Sequence, residues 1–137
     1  MALLTVLEER TSAGQNGRVS FELIDPGIVL LKTQLISKSD HLYVRTAEVT
    51  KEILLKHRTT RVIVDVEDSV RFSAPNMPAV NRALAIVEPH LDHIAFVYGK
   101  NLMVRIASRF VMHTCPIPSS FHKDRALALE YLRKTIP

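Results

Sequence analysis

The stretch VIVDVEDSVRFSAPNMPAV, residues 62–80, sets three carboxylates, Asp65, Glu67 and Asp68, where a β-branched run gives way to an acidic bend. Ligands of open α/β sheets bind outside the carboxyl ends of the strands, and three carboxylates there can hold Mg²⁺ with several waters retained. A receiver-like or phosphatase-like site needs such a cluster, but no phosphate loop, catalytic lysine motif or second carboxylate pair accompanies it. The same residues also suit a solvated acidic turn facing Arg71, in which exposed ion pairs contribute little. Ser69 and Ser73 follow in the bend, and a phosphoryl group on either would bring charge and three acceptor oxygens. Ser73 and Asn76 equally suit the cap of the helix that follows, because their side-chain oxygens can accept its first unpaired amides.

Histidines and the one cysteine form a second set. His90-Leu-Asp-His93 has metal-compatible spacing, and His113 and Cys115 can add ligands if the chain brings the pairs together. Cys115 with His113 has the residue types of a thiol nucleophile and its base. The simpler reading makes the histidines polar loop residues before a buried strand and Cys115 a buried free thiol.

These groups must be positioned by regular elements. The turn-rich TSAGQNG closes residues 1–17, which read as an arm or linker ahead of a single domain at 18–137. Two strands, 18–24 and 28–34, flank Asp25-Pro26-Gly27, where Pro presets the backbone and Gly permits positive φ. Ser39 or Asp40 caps a helix reaching about Arg58, with Leu42, Thr46, Val49 and Ile53 on one face. Residues 61–66 form a strand covered on both sides. A helix beginning near Pro75 or Pro78 then buries Met77, Val80, Leu84 and Val87. Residues 93–98 give another buried strand, and Asn101 caps a helix burying Leu102, Met103, Ile106, Ala107 and Phe110. The two prolines of 115–120 allow only a short or edge strand, and a last helix spans about 123–134. The order β-β-α-β-α-β-α-(β)-α predicts an α/β fold: a mixed, mostly parallel sheet with an N-terminal β-hairpin, right-handed crossovers and about four helices.

Composition narrows the function classes. The chain of 137 residues, 47% hydrophobic, suits one ordinary core. A single cysteine excludes an internal disulfide framework and fits a reducing compartment. No apolar run reaches the ~20 residues that cross a bilayer, and the opening MALLTVLEER lacks a basic leader, so the expected location is cytoplasmic. The net charge of +4 comes from the C-terminal end, where Lys100, Arg105, Arg109, Lys123, Arg125, Arg133 and Lys134 face only Asp124 and Glu130. Those cations are spread along helices without alternating aromatics, the pattern of a solvated face rather than a nucleic-acid platform.

From residue 18 onward the pattern resembles STAS domains, in particular the SpoIIAA-like branch. The resemblance rests on VIVDV (62–66), HIAFVYG (93–99), LMVRIASRF (102–110) and the tail FHKDRALALEYL (121–132), in which Ala128, Leu129, Tyr131 and Leu132 match a closing helix. Phe121 and Ala128 stand one residue further apart than in that pattern. The resemblance implies a regulatory or binding module, as in anti-sigma factor antagonists and the cytoplasmic domains of anion transporters. Aligning Phe72 with the aromatic residue ahead of the family's phosphoacceptor motif puts Ala74 at its aspartate and Pro75 at its serine, so the usual hydroxyl is missing.

The sequence thus points to a non-enzymatic module that binds a protein partner or a small apolar or anionic ligand, with no cofactor and no nucleic acid. Its candidate junction comprises Asp65, Glu67, Asp68, Ser69, Ser73 and Asn76. An apolar leading segment, Leu3, Leu4, Val6 and Leu7, suggests an arm packed in a groove of its own domain or of a second copy, hence a homodimer. The rival classes are a metal-dependent enzyme at Asp65, Glu67 and Asp68, and a nucleic-acid binder using the basic C-terminal helices.

Overall fold

A computed structural model describes residues 2–10, 16–25, 27–35, 40–67, 77–101, 105, 106, 109, 112, 113 and 117–135. Six strands, β1 (Ala2–Arg10), β2 (Asn16–Asp25), β3 (Ile28–Leu35), β4 (Arg61–Asp65), β5 (His93–Val97) and β6 (Ser119–His122), form one mixed sheet in sequential order. The first three pair antiparallel and β3 to β6 run parallel. Three helices are described: α1 (Asp40–His57), α2 (Met77–Val87), continued by a 3₁₀ turn at Glu88–His90, and α3 (Arg125–Thr135). Of the helix expected after Asn101, only Arg105, Ile106, Arg109, Met112 and His113 are described, and each is helical.

Side chains in a strand alternate between faces, and here each face has its own core. Val19, Phe21, Val29, Leu31, Val62 and Ile94 point toward α1 and α2, where Leu42, Val49, Ile53, Leu54 and Val87 meet them with Met112 and Ile117. Ile28, Leu30, Ile63, Ala95 and Val97 point the other way, onto Ala128 and Leu132 of α3. The continuous apolar runs of β4 and β5 follow from this double cover. Helix α1 stops sharply: Arg58 takes a left-handed φ of 53°, and Thr59 N–H donates to Leu54 O at 3.0 Å. That 6→1 bond is a Schellman closure, and it delivers the chain directly into β4.

Two expectations need correction. The leading residues are not an arm: β1 pairs along its length with β2, and Leu4 and Leu7 pack against the α1/α2 core, while Leu3 is 63% exposed. Asn16 and Gly17 of TSAGQNG already belong to β2, and the alternation of 2–10 is weak because β1 is an edge strand covered on one side. The closing strand lies at Ser119–His122 rather than 115–120, beyond the prolines that cannot donate to a ladder.

If β1 is part of the sheet, deleting residues 1–10 strips cover from Leu23, Val19 and Phe21. Stability should fall by about 2 kcal/mol or more, read as a drop of roughly 6 °C in Tm; a free arm would leave Tm unchanged.

Candidate functional site

Between the sheet and helices α1 and α2 lies a cavity of about 200 Å³. Val19, Leu31, Val62, Val64, Ile94 and Phe96 form its floor, with Leu42, Tyr43, Thr46, Ala47 and Thr50 of α1, Val80, Ala83, Leu84 and Val87 of α2, and Met112 around it. Two of the hydroxyls in its wall are turned to backbone: Thr33 Oγ1 donates to Asp65 O at 3.1 Å and Thr50 Oγ1 to Thr46 O at 2.7 Å. Serving their polar atoms this way leaves a lining that is almost wholly apolar. Apolar cavities of about 150 Å³ stay dry and admit benzene, so a single ring or a short acyl chain fits here.

The acidic junction is built differently from the sequence expectation. Asp65 ends β4 on the α3 face and is 1% exposed; its Oδ2 lies 2.8 Å from Nε of Arg125, itself 37% exposed. Its Oδ1 accepts the backbone N–H of Glu67 at 3.0 Å. Both carboxylate oxygens are therefore occupied by the fold. Glu67 is exposed and lies over Gly99, whose φ is +57° and where any Cβ would collide with the Glu67 side chain. The two neighbouring loops thus touch through a position that requires glycine. Asp68, Ser69, Ser73 and Asn76 lie outside the described residues, as do Phe72, Ala74 and Pro75.

Among the described residues no group of three or more His, Cys, Asp or Glu could hold a metal ion. His90 is half-buried in the 3₁₀ turn, His113 is exposed, and Cys115 lies outside the described residues. His93 instead meets His122, which the sequence reading passed over: their Nε2 atoms lie 2.8 and 2.7 Å from Oγ of Ser120. Tyr131 covers both rings, at centroid distances of 5.3 and 5.1 Å. The signal in sequence was the i, i+2 spacing of Ser120 and His122, legible only with the strand placed at 119–122. Burial first, then His122 and Arg61, push the His93 pKa below the ordinary value of 6.5. Burial also lowers that of His122, against the raising effect of Asp124.

Several C-terminal cations are engaged within the fold. Arg105 lies 5.0 Å over the Tyr98 ring, Arg109 lies 5.3 Å over Phe121, and Lys134 pairs with Glu130 at 3.0 Å. No helix is long and apolar enough to cross a membrane among the described residues. No protein-family model matches the chain, and no curated protein matches it in sequence.

Two outcomes follow from this geometry. Arg125→Ala leaves a buried carboxylate with one partner fewer and should cost about 2–4 kcal/mol in denaturant unfolding, whereas millimolar Mg²⁺ should leave the wild-type Tm unchanged because Asp65 is already engaged. The lowered histidine pKa values make the unfolded chain bind more protons as pH falls below 6.5. Their contribution is complete above that pH and is lost as pH drops through the folded values. Urea midpoints from pH 8 to 5 should show this loss, and replacing both His93 and His122 by Gln should flatten it.

Proposed function

We propose that this chain is a non-enzymatic, STAS-like binding module, close to the SpoIIAA-like branch, whose ligand is a small apolar molecule held between α1, α2 and the sheet. The observation that carries the reading is the cavity of about 200 Å³ with its almost wholly apolar lining, in which Thr33 and Thr50 turn their hydroxyls to backbone. A pocket lined almost wholly by apolar groups selects mainly by size and hydrophobicity rather than by hydrogen-bond pattern. It suits a sensor or carrier better than a catalyst, which needs charge placed where a transition state develops it. The fold agrees with the resemblance in its mixed sheet and in the closing helix, where Ala128 and Leu132 are buried against Ala95 and Val97. Occupancy would brace α1 against α2, giving a regulatory module a surface whose rigidity reports the ligand.

The metal-enzyme reading has less support, because Asp65 gives its oxygens to Arg125 and to the Glu67 amide and sits on the face away from the cavity.

The test is ligand-observed and protein-observed NMR with toluene, indole and octanol. Saturable shifts confined to residues such as Val64, Ala83 and Met112 are expected. Ala47→Leu, which fills the wall of the cavity, should abolish the shifts while keeping or raising Tm. Unchanged spectra in the wild type, or equal binding by the filled variant, would overturn the reading.

A further inference from the structure

The His93–Ser120–His122 cluster lies on the α3 face, across the sheet from the cavity. A serine hydroxyl has one hydrogen and two lone pairs. With both imidazoles neutral the set closes on itself: one ring donates its Nε2–H to Oγ, and Oγ donates its hydrogen to the bare Nε2 of the other, over 2.8 and 2.7 Å. A proton added to the accepting ring makes both Nε2 atoms donors. Oγ then accepts from both, and its own hydrogen must turn out of the cluster. The protonated cluster is therefore an outward hydroxyl donor flanked by two imidazoles, with charge and no internal acceptor for that hydrogen.

The surroundings add positive charge. Arg61 of β4 is the register partner of His93 and lies on the same face, tied by Nη1 donating to Leu132 O at 3.3 Å. Helix α3 contributes the Tyr131 ring. The carboxylate acting on His122 is Asp124, whose Oδ1 also accepts the Leu127 N–H at 2.9 Å as the cap of α3. Lys123 stands exposed between them in sequence. His93, Ser120, His122 and Arg61 are all partly open to solvent, so a small anion can reach them.

We propose that His93, Ser120 and His122, backed by Arg61, form a binding site for a tetrahedral oxyanion of the phosphate class, filled as the cluster takes up a proton. The outward hydroxyl supplies the donor while the imidazolium and Arg61 supply the charge, and hydrogen bonds to an ionised acceptor are the stronger ones. Burial disfavours the charged form of both rings, and His122 and Arg61 add to this at His93; an anion offsets these effects, so proton uptake and anion binding favour each other.

The experiment titrates the full chain with sulfate, whose charge is constant across the range in which histidine titrates, and follows the histidine ring signals by NMR. The expected result is saturable shifts of His93 and His122, a rise in both ring pKa values relative to chloride at equal ionic strength, and an affinity that strengthens roughly tenfold per pH unit while one proton is taken up. Ser120→Ala should weaken binding by about tenfold, and replacing both His93 and His122 by Gln should remove its pH dependence. Inorganic phosphate and phosphatidate vesicles, the latter against phosphatidylcholine vesicles, separate the sources: shifts with phosphate assign a soluble oxyanion, and shifts with phosphatidate alone assign a headgroup. Absence of shifts with all three anions, or undiminished binding by both folded variants, would overturn the proposal.

Discussion

Strand β4 is hydrogen-bonded to β3 on one side and β5 on the other and carries a packed layer on each face. One step along it moves a side chain from one layer to the other. Val62 and Val64 join the floor of the apolar cavity, while Arg61, Ile63 and Asp65 belong to the α3 side. A slip of one residue in the register would exchange these sets, placing Arg61 and Asp65 among the valines and leucines of the α1/α2 core. The cost of burying those charges without partners ties the register of the parallel strands to the identity of both candidate sites.

The end of β4 shows how that constraint acts on chemistry. An aspartate at a strand's carboxyl end reads as a ligand for a cation, but here α3 crosses beneath it and supplies a guanidinium. Asp65 becomes a fastener between the central strand and the last helix, aided by the Glu67 amide. The sequential strand order gives no point at which the described strands diverge. The crevice that such a reversal opens in doubly wound folds is thereby missing from them. Usable space lies under the helices instead, where Ala47 and Ala83 leave α1 and α2 short of filling the gap to the sheet.

Edge strand β6 places polarity where the core no longer needs apolar cover. Phe121 turns toward the α1/α2 side and stacks on Phe96 at 5.2 Å, and its neighbours Ser120 and His122 turn toward α3. Both rings there resist protonation, so the cluster costs stability in acid, and an oxyanion would offset that cost. Two sites on opposite faces of one sheet would share β4 and β5 as a common wall, so strain at one can reach the other without a separate pathway.

The sequence by itself determined the α/β class, the positions of α1, β4 and β5, the start and end of the last helix to within two residues, and much of the buried set. Those features rest on local periodicity and on turn and breaker residues, which act within a few residues of chain. It misread residues 2–10 because an edge strand covered on one side carries little alternation, and its status as a strand depends on a partner that only folding supplies. It listed Asp65 as a ligand candidate but not its bond to Arg125, sixty positions away, and it paired His93 with His90 by spacing when the actual neighbour is His122. Only the tertiary structure decided these, because strand register and the placement of α3 set which distant side chains meet, and whether packed apolar residues leave a void is fixed by the fit of whole helices against the sheet.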